Sequence, residues 1–189
     1  MNTKNKSKQS EADIIMDHTS KTSAINWYRD AILLISISTV FGLDQLTKYL
    51  TRKTLHLYES WPNEGVFRLT HEINSGTAFG LFQNQTPILI VASIIAVAFI
   101  YYFYRTYAIH SRLLRLCIGL QLGGAFGNLS DRIIFGYVTD FIDVGWWPVF
   151  NLADSSIVVG ISILIVIILM NGKLNIFETS RNKPTINGK

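Results

Sequence analysis

Hydrophobic and polar residues along this chain are gathered into long blocks and are not interleaved residue by residue. Four apolar runs stand out, at residues 31–49, 86–104, 113–129 and 151–170. Each falls in the length range of a helix crossing roughly 30 Å of hydrocarbon. The second, "TPILIVASIIAVAFIYYFY", and the fourth, "NLADSSIVVGISILIVIILM", are almost unbroken, whereas the third is rich in glycine and diluted by Gln121 and Asn128. Between the first two runs, "VFRLTHEIN" sets Val66, Arg68, Thr70 and Glu72 against Phe67, Leu69, His71 and Ile73, the two-residue period of a short strand. The pattern predicts a mainly α membrane protein: a four-transmembrane-helix bundle with a small extracytoplasmic β-containing loop domain. Residues 1–30 and 171–189 are polar and read as tails flanking a membrane domain at 31–170.

Composition changes this picture little, but charge gives it a direction. The chain is 49% hydrophobic, and its mean hydropathy of +0.27 averages two different materials. Lys4, Lys6, Lys8, Lys21 and Arg29 precede the first run. Arg105, Arg112 and Arg115 lie between the second and third, and Lys173, Arg181, Lys183 and Lys189 follow the fourth. These are twelve of the 17 basic residues, and four spans would put them all on one side. Basic residues stay cytoplasmic, so both termini are expected in the cytoplasm and the acidic loops outside. The net charge of +4 reflects this bias and carries no sign of nucleic-acid binding. The leader does not resemble a cleavable signal peptide, because residues 1–30 are polar and no small-residue cleavage site closes a short apolar stretch. The single cysteine, Cys117, cannot form an internal disulfide and reads as a packing residue.

The candidate chemistry sits at the ends of the apolar runs that map to the outer face: Asp44, Lys48, Asn74, Asn128, Asp131, Arg132, Asp140, Asp143, Asn151 and Asp154. Asp44 and Lys48 are four apart on one helix face and can pair. Asn128, Asp131 and Arg132 share a face by three- and four-residue spacing, at the end of a glycine stripe formed by Gly119, Gly123 and Gly127. Gly76 and Gly80, among small Ser75, Thr77 and Ala78, allow close backbone approach. The cluster has no histidine or cysteine, which argues against a zinc site and against a serine–histidine dyad. Two carboxylates sharing one proton can hydrolyse an amide, one activating water and the other donating a proton, with asparagines and an arginine orienting them. On residues alone, a proton-coupled transporter or an assembly factor using the glycine stripe fits the same description. Against transport, inverted repeats and broken helix pairs are missing from the sequence.

In order and spacing, "DQLTK", "NSGTAFG", "GGAFGNLSDR", "GYVTDFIDV" and "FNLADSSIVVG" resemble the lipoprotein signal peptidase (signal peptidase II) family over residues 41–160. The resemblance implies a four-span peptidase of the bacterial cytoplasmic (inner) membrane, with its active site at the extracytoplasmic face. It implies an aspartic endopeptidase that cleaves diacylglyceryl-modified prolipoproteins just before the lipidated cysteine, is inhibited by globomycin-type compounds, and needs no cofactor and no metal. Asp140 and Asp154 match the family's catalytic pair. Asn74, Gly76, Asn128, Arg132, Asn151 and Ala153 fall at its substrate-binding and supporting positions, and Asp44, Lys48 and Asp131 at structural ones. On sequence grounds Asp131 competes with Asp140 for the catalytic place; the family's "D-F" motif favours Asp140 and leaves Asp131 as a partner for Arg132. Thr77 and Phe126 depart from the usual alanine and leucine, and the N-terminal tail is longer than typical. A monomer suffices, since all the motifs lie in one chain.

Overall fold

The computed structural model describes residues 31–77, 81–108 and 112–181, with side chains described as far as residue 170 apart from 107 and 108. The tail at 1–30, Ala78 and Gly80 of the glycine-rich stretch, and residues 182–189 lie outside the described residues. The first apolar run forms α1, Ala31–Thr54. Beyond it come strands β1, Ser60–Trp61, and β2, Arg68–Asn74, then α2, Thr86–Phe103, which continues into a short π-helical turn at Tyr104–Ala108. Helix α3, Arg112–Phe135, is followed by strand β3, Val138–Asp143, and helix α4, Leu152–Arg181.

Among the described residues three helical stretches are long and apolar enough to cross a membrane: Ala31–Thr54, Thr86–Thr106 and Leu152–Met170. Helix α2 shows why. It opens with Pro87, whose missing N–H costs nothing in a first turn. From there it exposes Ile88, Val91, Ile94, Ile95, Phe99 and Tyr102 along one broad face, a surface made for lipid, while Leu89 and Val97 turn inward.

Helix α3 falls outside that set although it has 24 residues. It is the most enclosed of the helices, and much of its surface packs against protein. Arg115, Gln121, Asn128 and Asp131 are buried along it, together with Gly119, Gly123, Gly124 and Gly127. The glycines set the helix spacing. A Cβ on Gly123 would meet the Val40 side chain at 2.8 Å and the Ile37 carbonyl at 3.0 Å on α1, and one on Gly124 would strike the Ala153 carbonyl on α4. Such close contact lets dispersion and buried polar bonds hold helices that gain nothing from leaving water. At the opposite end from the sheet, Leu33, Tyr104, Ile118 and Leu122 close a core against Val97, Ile100 and Phe103.

The three strands form one antiparallel sheet in the order β1-β2-β3. The alternation at 66–73 corresponds to β2, which begins at Arg68. A register irregularity between Leu69 and Glu72 lets Arg68 pair with Asp143 while Glu72 pairs with Asp140. After β3 the chain turns through Trp146, Trp147 and Pro148 and comes back: Phe150 bridges Ile142, donating to its carbonyl at 3.1 Å and accepting from its N–H at 2.7 Å. That return delivers the start of α4 beside β3.

Candidate active site

Asn151 is the residue on which the site is built. It precedes Leu152, the first residue of α4, and its Oδ1 accepts the Asp154 N–H at 2.9 Å. In return the Asp154 carboxylate accepts the Asn151 N–H at 3.3 Å. This is a reciprocal capping box, with asparagine and aspartate three residues apart at a helix start, where exposed N–H groups favour an anion. Because Oδ1 is committed to the cap, Asn151 Nδ2 faces outward from it. One of its hydrogens goes to Asp140 Oδ1 at 2.6 Å and the other to Asn128 Oδ1 at 3.1 Å.

The other two asparagines are oriented by the same logic. Asn128 Oδ1 also accepts from the Lys48 ammonium at 2.9 Å, so Asn128 Nδ2 must point away, and it donates to Asp154 Oδ1 at 2.7 Å. Asn74 Oδ1 accepts the Gly76 N–H at 3.0 Å, which turns Asn74 Nδ2 onto Asp140 Oδ2 at 2.9 Å. Asp140 and Asp154 are thus each gripped by two donors, and Asn151 belongs to both grips. Asp140 is 2% exposed. Burial, and then the charge of Asp154, push its carboxyl up to about 7, against the opposing pull of the Asn74 and Asn151 amides and of Lys48.

Beneath the asparagines lies a layer of charge. Lys48 and Asp44 are completely buried and pair at 2.8 Å. The ammonium also approaches Asp131 at 3.4 Å, so all three of its donors are occupied by Asp44, Asn128 and Asp131. The other Asp44 oxygen accepts the Ala153 N–H at 2.9 Å, holding the first turn of α4 against α1. Gly127 leaves room for that carboxylate, since a Cβ there would fall against Asp44 Oδ2.

Asp131 and Arg132 do not partner each other. Adjacent helix positions point about 100° apart. Asp131 faces Lys48, Gln45 and the Thr139 N–H, while Arg132 faces the cleft and donates to the Gly76 carbonyl at 3.0 Å. Asp143 belongs to a different unit. It is held by Arg68 at 2.7 Å and Thr70 at 2.9 Å across the sheet. Burial tends to raise its carboxyl, but the Gly145 N–H, Thr70 and Arg68 bring it below the usual range.

Asp140, Asp154, Asn74, Asn128 and Arg132 line a cleft of about 1060 Å³. Its remaining wall is largely apolar, with Val144, Trp146, Trp147, Pro148, Phe150 and, along α4, Ile157 to Val159. Such a site can hold a peptide beside two carboxyls and an apolar chain along α4. Sequence reasoning passed over Gln45, which bonds Asp131 at 3.2 Å; Arg52, which bonds Thr139 at 2.9 Å; and Glu72, a cleft residue whose carboxyl burial, and then Asp143, hold above the usual range. The signal for Arg52 was present in the 44–48–52 spacing, which extends the Asp44–Lys48 face by one turn.

Fold and site together describe a helical membrane protein whose cleft sets two aspartates, both bonded by Asn151, against a largely apolar wall. A family model for signal peptidase (SPase) II matches residues 36–170. The lipoprotein signal peptidase of Moorella thermoacetica is 47% identical over 126 residues, covering 66% of this chain and 84% of that protein. That of Halothermothrix orenii is 41% identical over 145 residues, covering 76% and 99%. A solved bacterial membrane enzyme superposes with a TM-score of 0.68 at 28% identity, covering 83% of this chain and 94% of the other. A second does so at 0.67 and 30%, covering 72% and 92%. The chain belongs to the signal peptidase II family of peptidases.

Proposed function

We propose that this protein is an aspartic endopeptidase that removes the signal peptide of diacylglyceryl-modified prolipoproteins, cutting just before the lipidated cysteine. Its relatives carry the name lipoprotein signal peptidase. The observation that carries the aspartic mechanism is Asn151, one side chain bonded both to Asp140 and to the helix cap that holds Asp154.

Asp154, capped and accepting from Asn128, is the carboxylate; Asp140, poised near 7, carries the shared proton. Asp154 takes a proton from water as the water oxygen attacks the scissile carbonyl carbon, and Asp140 gives its proton to the carbonyl oxygen. The tetrahedral diol collapses when the carbon–nitrogen bond breaks. The leaving nitrogen of the cysteine takes the proton held by Asp154, and a diol hydroxyl returns one to Asp140, so both carboxyls regain their starting states. Arg132, lining the same cleft, stabilises the developing oxyanion.

The apolar wall along α4 suits the lipid of the substrate, which reaches the cleft sideways from the bilayer. Four membrane-crossing helices, α3 being the enclosed one, put both termini in the cytoplasm and the cleft at the extracytoplasmic face of the inner membrane. The active form is a monomer, and globomycin-type inhibitors occupy the cleft. The test is Asp140→Asn and Asp154→Asn: each is expected to lower prolipoprotein turnover by at least about 10³-fold while the protein still inserts and folds. Near-normal turnover by either variant rejects the dyad.

A further inference from the structure

Asp140 is aimed by the residue before it. Thr139 is fully buried and is held at three points. Its N–H donates to Asp131 Oδ2 at 3.1 Å, its hydroxyl accepts from Arg52 Nη1 at 2.9 Å, and it pairs with Ile73 in the register of β2. Arg52 is itself braced. Its guanidinium lies over the Phe135 ring, 4.6 Å from the centroid, and stands 3.9 Å from the same Asp131 oxygen that holds the Thr139 backbone. Successive residues of a strand project to opposite faces. Anchoring Thr139 on the bundle side therefore fixes the direction in which Asp140 emerges toward Asn151 on the other.

From these contacts we infer that Arg52 is a positioning residue for the reaction: stacked on Phe135, it grips the Thr139 hydroxyl and so fixes strand β3 in the setting that aims Asp140 at Asp154. Lysine cannot replace it, because the planar guanidinium both stacks and donates sideways, whereas an ammonium is a point charge on a flexible stem. Lys48, Asp44 and Asp131 secure the layer from inside. Arg52, with its side chain 21% exposed, closes it at the outer rim. Without it, the Thr139 side chain loses its clamp; β3 keeps the Asp131 bond, its pairing with β2 and the Phe150 return, and the Asp140 end of the strand gains freedom to swing toward water.

The inference rests on the aspartic mechanism above, so wild-type enzyme is assayed in parallel on the same diacylglyceryl prolipoprotein. Arg52→Met and Thr139→Val, the second removing the hydroxyl at nearly constant volume, are each expected to lower kcat about tenfold with KM within about twofold. The double variant should be no worse than either single one, because both break the same contact. Thr139→Ser restores the acceptor and should restore kcat. Asp140 loses burial when β3 loosens, so the alkaline limb of the kcat/KM profile should move to lower pH in Thr139→Val, which changes no charge. A variant that is merely less stable would lower the melting temperature without moving that limb. An unchanged kcat in Arg52→Met, an unmoved limb in Thr139→Val, or multiplicative losses in the double variant, overturn the inference while wild-type cleavage leaves the aspartic mechanism standing. No cleavage by wild type under any condition rejects both.

Discussion

At the scale of the residue, the site is a set of asparagines whose flips are dictated by donors behind them. Asn151 does two separable things. Its Oδ1 caps α4, and its Nδ2 bonds Asp140 and Asn128. Serine is a good N-cap but lacks the amide donors. Asn151→Ser is therefore expected to melt within a few degrees of wild type while kcat falls at least about tenfold; an unchanged kcat contradicts the bridging role. The pH profile tests the same geometry. In the proposed mechanism Asp140 must be protonated to donate, and its carboxyl is raised to about 7 in the folded protein. Activity is thus retained below that value and falls about tenfold per unit above it, giving kcat/KM in the free enzyme an alkaline limb near neutrality. A limb governed by an ordinary carboxylate would instead place the loss far lower. The motifs made Asp140, Asp154 and the asparagines legible as candidates. The orientation of each amide was not, because it depends on Lys48 and on the Gly76 N–H, contacts 80 and 2 residues away in sequence.

At the scale of the element, the long apolar runs were the clearest signal, since lipid-facing helices such as α2 must be apolar nearly all round. The weakest run, α3, is weak for a physical reason: its surface meets α1 and α4, so small residues and paired polar groups replace the leucines that lipid would demand. Strand β3 was invisible to pattern. It is buried along almost its whole length, Thr139 and Asp140 included, so apolar and polar residues do not alternate along it. Gly127 joins element to site. A methyl there would fall against Asp44, whose carboxylate holds both Lys48 and the Ala153 N–H. Gly127→Ala is expected to cost about 1–3 kcal/mol by overpacking and to lower activity, read as a reduced melting temperature in detergent together with reduced turnover. Gly136, where a Cβ would meet nothing within 4 Å, is not crowded in this way.

At the scale of the whole molecule, everything in the site lies at one end of the bundle, where α1 and α3 finish and α4 begins. The same end carries exposed Trp61, Val66, Phe67 and Trp146, side chains that favour the membrane–water boundary. The basic-residue bias predicts that this end faces out. In a Cys117→Ser background, a cysteine placed at the exposed Glu64 should react with a membrane-impermeant thiol reagent applied to intact cells, and one at Lys189 only after permeabilisation. The opposite labelling pattern would invert the topology.

The most direct measurement of the central claim uses purified enzyme and one prolipoprotein in two forms, with and without the diacylglyceryl group on its cysteine. Mass analysis should show the lipidated form cut to a product beginning at the modified cysteine, the unmodified form left largely intact, and both products absent with Asp140→Asn or Asp154→Asn. Equal cleavage of the two forms, or cleavage that survives loss of either aspartate, would contradict the account.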